Sequence, residues 1–364
     1  MKRVVKALLI TILAIVGLFL TVGIVIWISS PGRLDSLRDA SGKPIVGSLV
    51  EKNFVEIGGI QQGFFIRSEN PENPVLLFLH GGPGSPELPL QIPTESAERL
   101  EKYFTVCYWE QRGAGISFSE SLDVATMTVA QMVEDTRQMT EYLKERFKQE
   151  KIYLMGHSWG SYLGVKVIEK YPENYKAYMG IGQISNQLES EKLAFDYLME
   201  FATEKADRVI LEKLQRYNTA TMDFASTEYL MTVRMEMNKL GVGIKHQDFS
   251  MGDMLKSIML FKGYTLTEKM NYAQGSLLSL RLFENIIEDN LFESSVSFEL
   301  PVYIVQGKYD YVTSYVLAQE YVDKIDAPAK GFFTFENSAH SPNLEEPEKF
   351  MQVVREAFLV HGNE

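Results

Sequence analysis

Cysteine is nearly absent from this chain. Cys107 is the single one in 364 residues, so no intramolecular disulfide can form and no cysteine-based zinc site exists. Histidine is scarce too, with five in all, which leaves few groups able to move a proton near neutral pH. Basic residues are outnumbered, 36 against 48 acidic ones. The formal charge of −12 repels phosphate backbones and argues against a nucleic-acid partner. Low-complexity tracts and internal repeats are missing. With 45% hydrophobic and 23% charged residues, disorder is excluded as the main state.

What is present begins with one long apolar run. Residues 7–28 carry no charge, and a helix of that length spans roughly 30 Å, the thickness of a hydrocarbon core. A secretory signal has a shorter apolar core and a small-residue cleavage site, and no clear site follows here. Lys2, Arg3 and Lys6 crowd the short leading flank, and Trp27 sits at the far end. The expectation is a single-pass signal-anchor over residues 1–30 with the remaining chain outside the cytoplasm. A cleaved signal and the inverted orientation are the competing readings. Residues 31–48 are polar and contain Gly and Pro, as a linker would.

The following residues alternate short buried-type strands with helical patterns, which predicts a parallel sheet with helices on both faces. Residues 49–66 read as a hairpin around Gly58-Gly59. Val75–His80, Phe104–Trp109 and Ile152–Gly156 read as strands, as does a segment near Tyr178–Ile181. Val129–Phe147 and a segment from Ser158 to about Tyr171 read as helices. The rhythm stops over 190–297, a stretch without a buried-strand run that reads as a helical insertion. It resumes with Pro301–Gly307, a helix near Ser314–Lys324, the strand Gly331–Glu336 and a last helix from Glu346 to about Val360. Residues 49–189 and 298–364 are thus expected to form one α/β core, with 190–297 as its cap.

Gly156-His157-Ser158-Trp159-Gly160 fits G-x-S-x-G, with a strand before it and a helix after it. That context makes a sharp elbow that presents the Ser158 hydroxyl, and the helix start offers backbone N–H groups to a developing oxyanion. His80-Gly81-Gly82-Pro83-Gly84 follows the strand at 75–80, and its glycines let backbone approach a substrate oxygen. The expected oxyanion donors are the N–H groups of Gly82 and Trp159, with Gly81 as the near alternative. His80 is expected to hold that loop, and Glu110 and Arg112 to tie down the loop after the next strand. Hydrolases built on such an elbow run in the chain order nucleophile, acid, base. His340, in a loop between a late strand and the last helix, is the base by position and by elimination of the other four histidines. Asp310, at the end of the strand 301–307, is the acid that would orient it. This chemistry needs no cofactor and no metal.

HGGPG, WEQRGAGIS, GHSWGS, GKYD and SAHSP together resemble the proline iminopeptidase family of α/β-hydrolase-fold serine peptidases, from about residue 50 to 360. The resemblance implies an inserted helical cap and release of an N-terminal residue, often proline, from peptides. It also implies acidic cap residues that hold the substrate's free amine, for which Glu189 and Glu191 are the candidates. The family usually has Asp where Glu110 stands and often Gly where His157 stands. The expected partners are a small peptide or ester substrate and a membrane; the oligomeric state is left open. Alternatives are a carboxylic-ester or lipid hydrolase and a non-catalytic binding protein on the same fold.

Overall fold

The computed structural model describes residues 2–92, 98–218 and 221–361. The side chains of Lys2 and Arg3, on which the expected orientation partly rests, and that of His361 lie outside what is described. Among the described residues eight strands form one sheet: β1 (Leu49–Ile57), β2 (Ile60–Ser68), β3 (Val75–Leu79), β4 (Thr105–Trp109), β5 (Ile152–His157), β6 (Tyr175–Ile181), β7 (Val302–Gly307) and β8 (Lys330–Phe335). Their order is β1-β2-β4-β3-β5-β6-β7-β8, with the β1–β2 and β2–β4 pairs antiparallel and all other pairs parallel.

The apolar runs explain the parallel part. In β3, Val75, Leu77 and Leu79 enter one side of the core while Leu76 and Phe78 enter the other. A strand covered on both faces needs such a continuous run, since no side of it meets water. Helix Val129–Phe147 starts where the Thr128 side chain accepts from Gln131 N–H and ends where Lys148 turns left-handed at φ 54°. It buries Met132, Thr136, Met139 and Leu143 at spacings of three and four residues.

Between β6 and β7 the described residues form helices and no strand. The larger ones are Gln187–Glu204, Arg208–Leu214, Thr227–Lys239, Met251–Leu260 and Leu266–Ser279. Each begins at a side-chain cap, from Asn186, Asp207, Ser226, Ser250 and Thr265 respectively. Asn186 and Asn290 bridge to each other and close the insertion at its base.

Two elements differ from expectation. β6 begins at Tyr175, three residues earlier than its apolar run, because Tyr175 is buried with its hydroxyl on Thr140 Oγ1 at 2.8 Å. The last helix occupies the expected residues but contains a π turn, with Pro347–Val353 running through Val354–Phe358 into Leu359–His361, and a separate short helix at Pro342–Glu345 precedes it. That wider turn sits where Phe358 meets Phe104 and Tyr153, with ring centroids 6.0 and 5.1 Å away.

Helix Lys2–Ile28 lies apart from the core and is exposed along its apolar stretch. Val4–Ile28 is long and apolar enough to cross a membrane, and a signal sequence would meet the same description. The segment after it folds back on the domain. Leu37 is buried, and Arg33 N–H donates to Lys262 O at 3.0 Å.

Candidate active site

Ser158 stands at the tip between β5 and helix Trp159–Lys170, with φ 54° and ψ −119°. A residue with a side chain rarely adopts that conformation, so the surrounding structure has to impose it. The turn is tight enough to require glycine on both sides. A Cβ on Gly156 would stand 2.1 Å from Gly160 O, and one on Gly160 would stand 2.0 Å from Leu79 O. Trp159 opens the helix, so its N–H has no intrahelical acceptor.

His340 and Ser158 line the same cavity of about 690 Å³, which lies between the C-terminal ends of the strands and the helical insertion. His340 Nδ1 lies 2.9 Å from Asp310 Oδ2. Asp310 is buried, and each of its oxygens has several donors. Oδ1 accepts from the N–H groups of Val312 and Thr313, and Oδ2 from Gln306 Nε2 and Thr313 Oγ1. Burial works to raise the Asp310 pKa. The His340 ring and the Thr313 donors outweigh it and hold the carboxyl below its ordinary 3.8. Gly182, at φ +56° after β6, leaves room for the ring, since a Cβ there would be 2.9 Å from His340 Nδ1. No hydrogen bond joins Ser158 Oγ to His340 among the described residues. Such bonds are often long before substrate arrives.

The loop at residues 80–84 is held by side chains on both flanks. His80 Nε2 accepts from Gln111 N–H at 3.1 Å, so its Nδ1 carries the proton and donates to Gly81 O at 2.9 Å. Burial lowers the His80 pKa to about 4, which keeps the ring neutral. Gln111 also holds Trp159, whose Nε1 donates to Gln111 Oε1 at 2.7 Å. Gly81 N–H is committed to Glu87 Oε1 at 2.9 Å. Gly82 N–H has no partner among the described residues.

Glu87 and His157 form a pair that the sequence did not suggest. His157 Nε2 meets His340 O at 2.8 Å, so it must carry a proton, and Nδ1 meets Glu87 Oε1 at 2.6 Å. Burial disfavours charge on both. The Glu87 carboxylate nevertheless raises His157 above 6.5, while His157 and Gly81 N–H hold Glu87 below 4.5. Both shifts favour an imidazolium beside a carboxylate. Glu87 is 6% exposed and lines the cavity, and its second oxygen, Oε2, has no hydrogen-bond partner. The point where a Cβ on Gly81 would stand is 3.1 Å from Ser158 Cβ and 3.3 Å from Glu87 Oε1. The two side chains are thus within about two contact radii of each other.

Glu189 and Glu191 are placed elsewhere. Neither lines the cavity. Glu189 is half-exposed and pairs with Lys192 at 3.1 Å. Glu191 is fully buried, but the Arg234 guanidinium holds both its oxygens, one of them at 3.0 Å, and Gln187 Nε2 donates to it at 2.7 Å. It is Arg234 that reaches the cavity wall. Glu110 accepts from Ile116 N–H at 2.6 Å and meets Tyr264 Oη at 2.5 Å, and burial pushes its pKa up to about 8. Arg112 pairs with Asp135 at 2.7 Å and donates to Gly58 O, tying the loop after β4 to the β1–β2 hairpin.

Residues 74–347 match the family described as alpha/beta hydrolase fold. The chain belongs to the α/β-hydrolase fold family. Among curated relatives of this hydrolase, a probable aminopeptidase, YbaC, of Bacillus subtilis (strain 168) is 32% identical over 300 residues, 81% of this chain and 92% of that one. A proline iminopeptidase of Saccharolobus solfataricus is 26% identical over 315 residues, 84% of this chain and 92% of its own. In structure, the hydrolase is similar to a proline iminopeptidase of Mycobacterium smegmatis. The TM-score is 0.60 at 17% identity, covering 86% of this chain and 99% of that one, a likeness of fold. These are the relatives that HGGPG and GHSWGS pointed to.

Proposed function

We propose that this hydrolase is a serine aminopeptidase that releases N-terminal residues through an acyl-enzyme. Ser158 is the nucleophile, His340 the base and Asp310 the group that fixes its tautomer. His340 takes the Ser158 proton as Oγ attacks the carbonyl carbon, and the Gly82 and Trp159 N–H groups receive the oxyanion. His340 then protonates the leaving amine, and water attacks the acyl-enzyme by the same route.

The observation that carries the choice of substrate is Glu87, an acidic side chain that lines the cavity with Ser158 and whose buried Oε2 has no hydrogen-bond partner. A free α-ammonium lies two covalent bonds from the scissile carbonyl carbon, so an acceptor beside Ser158 meets it as the carbonyl reaches Oγ. A buried carboxylate oxygen without a donor is costly, and an ammonium removes that cost. The named relatives favour the same reading. Helix Lys2–Ile28 is read with it as an uncleaved single-pass anchor that leaves the catalytic domain outside the cytoplasm.

A second reading, a carboxylic-ester or lipid hydrolase, is favoured by the apolar side chains of Phe249, Met254, Leu255 and Met259 in the same cavity. The full chain, assayed on proline and alanine anilides against short-chain esters, separates the two. Anilide turnover that Ser158→Ala abolishes supports the aminopeptidase; ester turnover alone contradicts it.

A further inference from the structure

The N-terminal helix is attached to the rim of the cavity. Lys269, on helix Leu266–Ser279, is 1% exposed. Its ammonium donates to Ser29 O and Ser30 Oγ, each at 2.8 Å, and to Met259 O at 2.6 Å. One buried cation therefore joins the end of helix Lys2–Ile28 to the end of helix Met251–Leu260. A Cβ on Gly32 would stand 2.8 Å from Thr265 Cγ2, and Arg33 N–H donates to Lys262 O at 3.0 Å. Residues 29–33 are thus fastened between these two helices of the insertion.

Both helices expose large apolar side chains close to that junction. Met251, Leu255 and Leu260 are 57%, 55% and 39% exposed, and Leu266 and Met270 are 48% and 61% exposed. Met251 and Leu255 are one turn apart, as are Leu266 and Met270, so each pair shares a helix face. Met270 follows Lys269 directly, and Leu260 is two residues before Lys262. Their distance from the membrane exit is therefore set by the same contacts that hold Ser29 and Arg33. Apolar faces beside the end of a membrane-crossing helix have a surface at hand to bury them, the interfacial layer of that membrane.

We propose that helices Met251–Leu260 and Leu266–Ser279 form a second membrane contact, lying in the interfacial layer of the bilayer that helix Lys2–Ile28 crosses. This rests on reading that helix as an uncleaved anchor. The occupant is a lipid surface, by continuity with the anchor. Leu255 is both exposed and part of the cavity wall, and Met254 and Met259 line the cavity beside it. One helix thus faces lipid and substrate together, and the cavity opens at the membrane surface. Substrates with an apolar body reach Ser158 from that surface.

Nitroxide labelling of the full chain in phosphatidylcholine proteoliposomes tests this. The only native thiol, Cys107, is buried, so labels go to introduced sites. Leu255→Cys and Met270→Cys are labelled, with Met251→Cys and Leu266→Cys as second variants should either fail to fold. Val316→Cys, 54% exposed on a helix of the α/β core, is the reference for water, and Leu13→Cys is the reference for the anchor. By power saturation, the labels in the insertion are expected to collide more with oxygen than with a nickel chelate, while the label at 316 shows the reverse. Nickel accessibility equal to that at 316 overturns the proposal. So does exclusion of both reagents with spin–spin broadening, which marks a second copy of the chain as the cover. A label at 13 that is not deep in the bilayer refutes the anchor, and the proposal with it. None of these outcomes bears on the Ser158 chemistry.

Discussion

Replacing Glu87 with Gln removes one charge close to Ser158 and changes little else in size. If Glu87 Oε2 receives the substrate's ammonium, the variant keeps an oxygen or an amide there but loses the charge. A hydrogen bond to a charged group is worth about 1.5–3 kcal/mol, so kcat/KM for an amino-acid anilide should fall about 10- to 150-fold on this account alone. Gln also disturbs its neighbours. Oε1 serves Gly81 N–H and His157 Nδ1 together, and an amide oxygen can accept from both only while His157 stays doubly protonated, a state that loss of the carboxylate charge disfavours. That disturbance reaches every substrate that uses Ser158. The assay is therefore a ratio, kcat/KM for alanine anilide over kcat/KM for a short-chain ester without an amine. The ratio should drop by the full 10- to 150-fold. An equal loss on both substrates would show that Glu87 only holds the loop and His157, and would refute the assignment of the amine site.

Asp310→Asn should lower kcat on the order of 10⁴-fold with the fold intact by circular dichroism. Gln306 and Thr313 already donate to Oδ2, so the amide would turn an N–H toward one of its donors or toward His340. Gly160→Ala should destabilise the protein by about 3 kcal/mol or more in urea unfolding, because its Cβ meets the Leu79 carbonyl at 2.0 Å. Unchanged stability would mean the elbow is looser than described. Glu110 keeps its proton at neutral pH when folded, since burial has raised its pKa from 4.5 to about 8. The folded state then binds more protons than the unfolded one between those values, so this residue's contribution falls as pH rises through that window, by up to roughly 1.4 kcal/mol per unit. Glu110→Gln imitates the protonated acid, so its thermal midpoint should gain on the native protein between pH 5 and pH 8. A constant difference would contradict the raised pKa.

The parts of this molecule legible in the sequence are those in which neighbouring residues carry the signal. β3, β4 and β5 are continuous apolar runs because both faces are covered, and Thr128 marks the start of its helix by capping it. Ser158 stood out because its glycines must sit two residues to either side. Glu87 had no such local signal. Its bond to His157 joins residues 70 positions apart, and nothing in SPELP suggests a buried acid. The opposite holds for Glu191, which sits where an acidic residue was wanted. Its charge is taken by Arg234, 43 residues further on. Distant ion pairing decides which carboxylates face the cavity.

The account depends on Ser158 being activated by a distant imidazole. Treating the full chain with a fluorophosphonate and mapping the adduct by peptide mass spectrometry tests this directly. The account predicts an adduct on Ser158, formed rapidly in the native protein and lost in His340→Ala. An adduct on another residue, or labelling of Ser158 at the same rate without His340, would contradict it.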